Sequence, residues 1–224
     1  MGVGASRGRK LKGRAEHLIL GLLVLAWWGA NQRTRDFFPL LWVLLAFWVV
    51  VLLGLMRGGL GNSRFGLLLQ GVLVLVPAFF SLLLIRGMDA GAGLVFALLL
   101  VVWGADAGAY FTGRAVGHHK LAPQLSPGKT WEGFLGGLLL AAVAVVLASM
   151  WSPIPVQVLV PLAVVTAAFS VVGDLAESRL KRGAAVKDSG HLIPGHGGVL
   201  DRIDSLSAAA PVFALGLEWI HRIW

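Results

Sequence analysis

Apolar residues along the chain fall in long runs separated by short polar stretches. Hydropathy marks seven candidate spans: Leu18–Ala30, Phe37–Met56, Phe65–Ile85, Gly91–Tyr110, Trp131–Met150, Pro155–Gly173 and Leu206–Ile220. A helix needs about 20 apolar residues to cross a bilayer, and five of the seven runs meet that length. Leu18–Ala30 and Leu206–Ile220 are short and borrow interfacial neighbours to cross. Read as a signal-peptide core, Leu18–Ala30 would be cut after Ala30, placing bulky Trp28 where a small residue is required. The segment is therefore expected to be retained. The pattern predicts an all-α fold: a polytopic transmembrane helical bundle of about seven spans, forming a single membrane domain over residues 1–224. Residues 1–90 read as generic N-terminal spans. Residues 91–224 carry the candidate chemistry, with polar loops at 111–131 and 173–205.

Composition narrows the class further. Hydrophobic residues make up 57% of the 224 and charged residues 13%, against roughly 25% charged in an average soluble domain. That excludes a soluble globular enzyme and a disordered chain, and the absence of cysteine excludes a disulfide scaffold. The 30 glycines suit helices packed closely through small residues. Charge placement then fixes an expected orientation. With the N-terminus cytoplasmic, fifteen of the 19 basic residues lie in inner segments and only Arg33, Arg35, Arg86 and Arg222 lie outside, as the positive-inside rule requires. If Leu18–Ala30 did not cross, the split would be nearly even. The net charge of +8 thus gathers at the face where anionic lipid lies. No basic residues interleave with aromatics, so nucleic acid is excluded as a partner. No internal repeat suggests an inverted-repeat transporter.

Two inner loops are richer than connectors need to be. One contains Asp106-Ala-Gly-Ala-Tyr-Phe-Thr-Gly-Arg114, then His118 and His119, then Ser126-Pro-Gly-Lys-Thr-Trp-Glu132. The other, residues 173–205, holds five of the 11 acidic residues: Asp174, Glu177, Asp188, Asp201 and Asp204. No breaker separates the sixth span from Arg182, so its helix is expected to continue past the membrane. Asp174, Glu177, Ser178 and Lys181 then share one helical face. Asp201, Asp204 and Ser205 repeat the spacing where the seventh span begins. Two helix ends would bring carboxylates together at the cytoplasmic boundary. Magnesium is usually held by one or two carboxylates plus substrate phosphates, and neighbouring Lys and Arg suit phosphate oxygens. Such a set fits Mg²⁺-assisted phosphoryl or nucleotidyl transfer; the competing reading is a set of surface ion pairs around a turn. Asp106, an ionisable residue in the last turns of an apolar span, marks a candidate polar cavity, with a satisfied helix-end aspartate as its rival. Gly128-Lys129-Thr130 is not a P-loop, because the earlier glycine falls on Pro123 and no strand is expected before it. The spacings of His118, His119, His191 and His196 do not suit zinc.

Residues 178–204 carry Ser-Arg-Leu-Lys-Arg, Lys187-Asp-Ser-Gly-His-Leu-Ile-Pro-Gly-His-Gly-Gly198 and Asp201-Arg-Ile-Asp204. This run closely resembles the signature of the phosphatidate cytidylyltransferases, or CDP-diacylglycerol synthases. The stretches at 106–114 and 126–133 are similar to the same family, so the resemblance covers roughly residues 100–215. The chain is short beside family members, which carry further hydrophobic N-terminal segments. The resemblance implies that CTP and phosphatidate react to CDP-diacylglycerol and pyrophosphate, with Mg²⁺, alone or beside K⁺, as the cation. It implies Asp174, Lys181 and Asp201 as the catalytic residues, with Asp174, Asp201 and Asp204 holding metal. Ser178, Arg182, Lys187 and Asp188 would bind substrate, as would His196, Gly197, Gly198 and Arg202. Ser126, Lys129 and Thr130 would contact it too. A homodimer and a bacterial inner-membrane location, with the site facing the cytoplasm, follow from the resemblance and the topology. The alternatives are a CTP-dependent lipid-alcohol kinase and an ion-coupled transporter using Asp106.

Overall fold

The computed structural model describes residues 38–56, 64–151, 154–183 and 200–223. The first predicted span, Leu18–Ala30, lies outside them. Six α-helices occur among the described residues: α1 Phe38–Met56, α2 Arg64–Gly87, α3 Gly91–Val116, α4 Trp131–Ala148, α5 Val156–Gly183 and α6 Leu200–Ile223. Each contains one of the other six predicted apolar runs almost entirely. Uninterrupted apolar sequence forms helices here because a bilayer leaves backbone groups no partner except one another. Pro77, Pro161 and Pro211 lie inside α2, α5 and α6, positions that membrane helices tolerate. By length and hydropathy α3, α4, α5 and the Ile203–Ile223 part of α6 can each cross a membrane, while Leu41–Val51 and Val74–Gly87 are shorter apolar helical stretches. These are the features of an integral membrane protein.

Three helices run well past the hydropathy limits at their polar ends. α3 continues from Tyr110 to Val116, α5 from Gly173 to Gly183, and α6 begins at Leu200 rather than Leu206. The extra turns are polar, so hydropathy stops before the hydrogen-bond ladder does. The departure from an all-helical reading is a small antiparallel hairpin between α3 and α4, in which β1 (Lys120–Ala122) pairs with β2 (Ser126–Thr130).

α6 is the hub. It packs against α1, α2, α3 and α5, and Ala208, Ala209, Ala210, Phe213 and Ala214 are fully buried. Three consecutive alanines, with Ala214 one turn further on, let its neighbours approach closely. A second core joins Val101 and Ala105 of α3 to Ala141 and Val145 of α4 and to Leu159, Ala163 and Ala167 of α5. α3 and α4 make the most extensive helix pair. Their backbones nearly touch: a Cβ on Gly108 would lie 2.6 Å from the Gly136 carbonyl oxygen, and one on Gly137 would lie 2.7 Å from that of Ala105. The outward face of this pair forms an open groove of about 590 Å³, mainly apolar and lined by residues such as Phe111, Leu135, Leu139 and Val143.

Candidate active site

The polar ends of α3, α5 and α6 meet beside the hairpin. Lys129 of β2 reaches Asp174 of α5, with Nζ 2.5 Å from Oδ2. One turn along the same face of α5, the Ser178 hydroxyl donates to Asp174 Oδ1 at 3.3 Å. From α6, the Ser205 hydroxyl donates to Asp106 Oδ2 of α3 at 3.4 Å. Asp106 interacts electrostatically with Lys129, Asp174 and Asp204, and Asp204 with Asp174. Four separate elements thus supply three carboxylates and an ammonium group to one cluster. The α5–α6 approach rests on Gly173, where a Cβ would stand 2.6 Å from the Asp204 carbonyl oxygen and 2.9 Å from Ser207 Oγ. Only glycine lets the two carboxylate-bearing turns come this close.

Behind the cluster sits a second charged group. Glu177 is 2% exposed, with Lys181 Nζ 2.8 Å from its Oε2. That contact is an ion pair without good hydrogen-bond alignment, and the Asp204 carboxyl lies close to the same glutamate. Removing either partner of a buried pair is costly because the other charge is left unpaired. The Asp204 backbone and carboxylate are also fixed locally: Oδ1 accepts from Ser205 N at 2.7 Å, and its carbonyl accepts from the Ser207 hydroxyl at 2.5 Å.

The sequence-based assignments divide three ways. Asp106, Lys129, Asp174, Ser178, Lys181 and Asp204 are brought together. Thr130 and Arg182 have other surroundings. The buried Thr130 hydroxyl accepts from Gly133 N at 3.1 Å and caps α4, so helix capping already occupies it. Arg182 lies exposed in the last turn of α5. Ser126 begins β2, at the end opposite Thr130. Lys187, Asp188, His196, Gly197 and Gly198 lie outside the described residues. Asp201 and Arg202 belong to the first turn of α6, one turn before Asp204 and Ser205, but their side chains are not among those described. Sequence reading gave Ser205 no role and left Glu177 undecided. The i, i+4 spacing from Asp201 was the available signal for Ser205, and the i+4 lysine for Glu177.

The donor set is all oxygen, which suits a hard divalent cation. Among the described residues no group of three or more His, Asp or Glu is spaced to hold a metal unaided. Magnesium does not need such a cage, since one or two carboxylates with substrate phosphates and water suffice. Asp174 and Asp204 are the described carboxylates that could hold it, Asp174 being paired here with Lys129.

Comparison with known proteins identifies the family. A phosphatidate cytidylyltransferase of Pseudomonas aeruginosa is 48% identical over 165 residues, covering 72% of this chain and 60% of the relative. The Haemophilus influenzae protein of that name is 53% identical over 133 residues, covering 55% and 45%. The Bacillus subtilis protein of that name is 44% identical over 130 residues, covering 57% and 48%. The aligned stretch therefore spans about half of the length of these curated relatives. The model of the Cytidylyltransferase family matches residues 6–220, nearly the whole sequence, and the chain belongs to that family.

Proposed function

We propose that the protein is a CTP:phosphatidate cytidylyltransferase, producing CDP-diacylglycerol and pyrophosphate. Family membership and the names of the relatives support the reaction class. The observation that carries the reading is the convergence of Asp106, Lys129, Asp174 and Asp204 from four elements at one end of an apolar bundle. Both substrates are polyanions that repel each other, and one is anchored in lipid while the other is dissolved in water. A cationic and carboxylate-rich cluster at the membrane boundary serves both.

A phosphatidate phosphate oxygen attacks the α-phosphorus of CTP in line. The new P–O bond forms as the bond from the α-phosphorus to the bridging oxygen breaks, and pyrophosphate leaves with the electron pair. A phosphate monoester is largely ionised near neutral pH, so no strong base is required, and orientation and charge stabilisation carry the rate. Lys129, held by Asp174, stands ready to meet phosphate charge, as do Lys181 and Arg182 at the end of α5. Ser178 orients Asp174. Mg²⁺ held by Asp174 and Asp204, with Asp201 one turn away on α6, would neutralise charge on the phosphate oxygens. The excess of basic residues on one side supports a cytoplasm-facing site in a bacterial inner membrane.

The test uses purified protein in lipid with phosphatidate, Mg²⁺ and CTP labelled at the α-phosphate. Labelled lipid and unlabelled pyrophosphate are expected, with both lost on chelation and restored by added Mg²⁺. A lipid kinase would instead release labelled CDP. Absence of pyrophosphate across varied lipid and salt would overturn the assignment.

A further inference from the structure

Glu132 lies outside the carboxylate–lysine cluster, and the proposed reaction gives it no part. Its carboxylate nevertheless makes three contacts with a single residue thirteen positions earlier. The His119 backbone N–H donates to Oε1 and Oε2, each at 3.2 Å, and His119 Nδ1 stands 2.6 Å from Oε1. Beside them Trp131 N–H donates to the His119 carbonyl at 2.9 Å. These bonds close the base of the hairpin, just below the Lys120–Thr130 pair.

The hairpin needs such a fastening. Its strands have three and five residues, and their register is irregular between Lys120 and Ala122. An isolated two-stranded hairpin is marginal at best. Lys129 rides on this weak element, yet its ammonium has to meet Asp174 on a different helix. Its neighbour Thr130 is bound to the first turn of α4 through Gly133 N. The Glu132 clasp ties the opposite strand to the same turn, so both strands leave α4 in a fixed direction.

We infer that Glu132 is a positioning residue that acts through Lys129: its carboxylate clasps the hairpin to the start of α4 and so presents the Lys129 ammonium to Asp174. The catalytic half of this inference rests on the activity proposed above, while the positional half does not. The His119 ring contact is short but solvent-screened, its side chain being 82% exposed, and the backbone N–H shared between both carboxylate oxygens remains when the imidazole is removed. Removing the carboxylate should therefore matter more than removing the imidazole.

The chain has no cysteine, so a Lys129→Cys, Asp174→Cys protein in lipid can be joined by a short bismaleimide with no competing thiol. Cross-linking is expected to fall severalfold when Glu132→Ala is added and only slightly when His119→Ala is added. Equal cross-linking with and without Glu132→Ala overturns the inference, whether or not the protein makes pyrophosphate. In the otherwise native protein, Glu132→Ala should slow pyrophosphate release about tenfold, and the same change in a Lys129→Ala background should cost nothing further, because residues acting as a unit are not additive. An equal fold-loss in both backgrounds would mean a general folding role and would also overturn it. Failure of every variant to release pyrophosphate removes the reaction alone, and the cross-linking result then decides the positional role.

Discussion

Gly173 is where stability and chemistry meet, and Gly173→Ala separates the two contributions. In a helix interior Ala is favoured over Gly by about 1 kcal/mol on propensity. Here the added Cβ would lie 2.6 Å from the Asp204 carbonyl oxygen, whereas ordinary contact begins at 3.4 Å. The obstacle is backbone, which cannot rotate aside as a side chain would, so α5 and α6 have to part by about 0.8 Å. Overpacking of this kind costs typically 1–3 kcal/mol. Set against the propensity gain, a net loss on the order of 1 kcal/mol remains, or roughly 2–4 °C in the thermal midpoint for a chain of this size. The effect on turnover should be much larger. Separating α5 from α6 moves Asp174 from Asp204, and a displacement near 1 Å can cost about 10²-fold in rate. Midpoints in detergent and pyrophosphate release from lipid-reconstituted protein measure the two losses. Gly71→Ala is the control, since nothing lies within 4 Å of a Cβ there: it should keep wild-type turnover and, with the propensity gain unopposed, raise the midpoint through a stability gain of up to about 1 kcal/mol. Wild-type turnover in Gly173→Ala would refute the tight α5–α6 approach as the source of the site geometry.

Two further substitutions test separate parts of the same structure. Asp174→Asn should abolish measurable pyrophosphate release while changing the thermal midpoint little, because the lost Lys129 pairing is offset by relief of repulsion from Asp106 and Asp204. Near-native turnover in that variant would remove Asp174 from the reaction. Thr130→Ala should destabilise the protein by about 1 kcal/mol through loss of the α4 cap, whereas Thr130→Ser, which retains the hydroxyl, should stay close to wild type. Equal midpoints for the two would show that the cap bond to Gly133 is not formed.

The bundle and part of the candidate site were legible in the sequence, for different reasons. Apolar runs of 15 to 21 residues have one low-energy backbone solution in lipid, so six helices fall where hydropathy put them. The polar turns at their ends are invisible to hydropathy, although the absence of a breaker before Arg182 read correctly that α5 continues. The facing of α5 and α6 could likewise be expected, because two short polar helix ends joined by one loop have few other ways to meet. The hairpin was not legible. Three- and five-residue strands containing Pro127 and Gly128 are too short to show a period, and Pro and Gly argue against a strand. Its consequences were hidden with it: Lys129 pairs with a residue 45 positions later, and no local spacing encodes such a contact. The same holds for Asp106, whose position near the end of a span was visible, while its partners on β2, α5 and α6 depend on how helices cross. Local rules therefore identify which residues have chemistry to offer, and glycine-limited helix approach decides which of them meet. In this protein that second decision rests on Gly173 between α5 and α6 and on Gly108 and Gly137 between α3 and α4, so the site is as much a product of missing side chains as of charged ones.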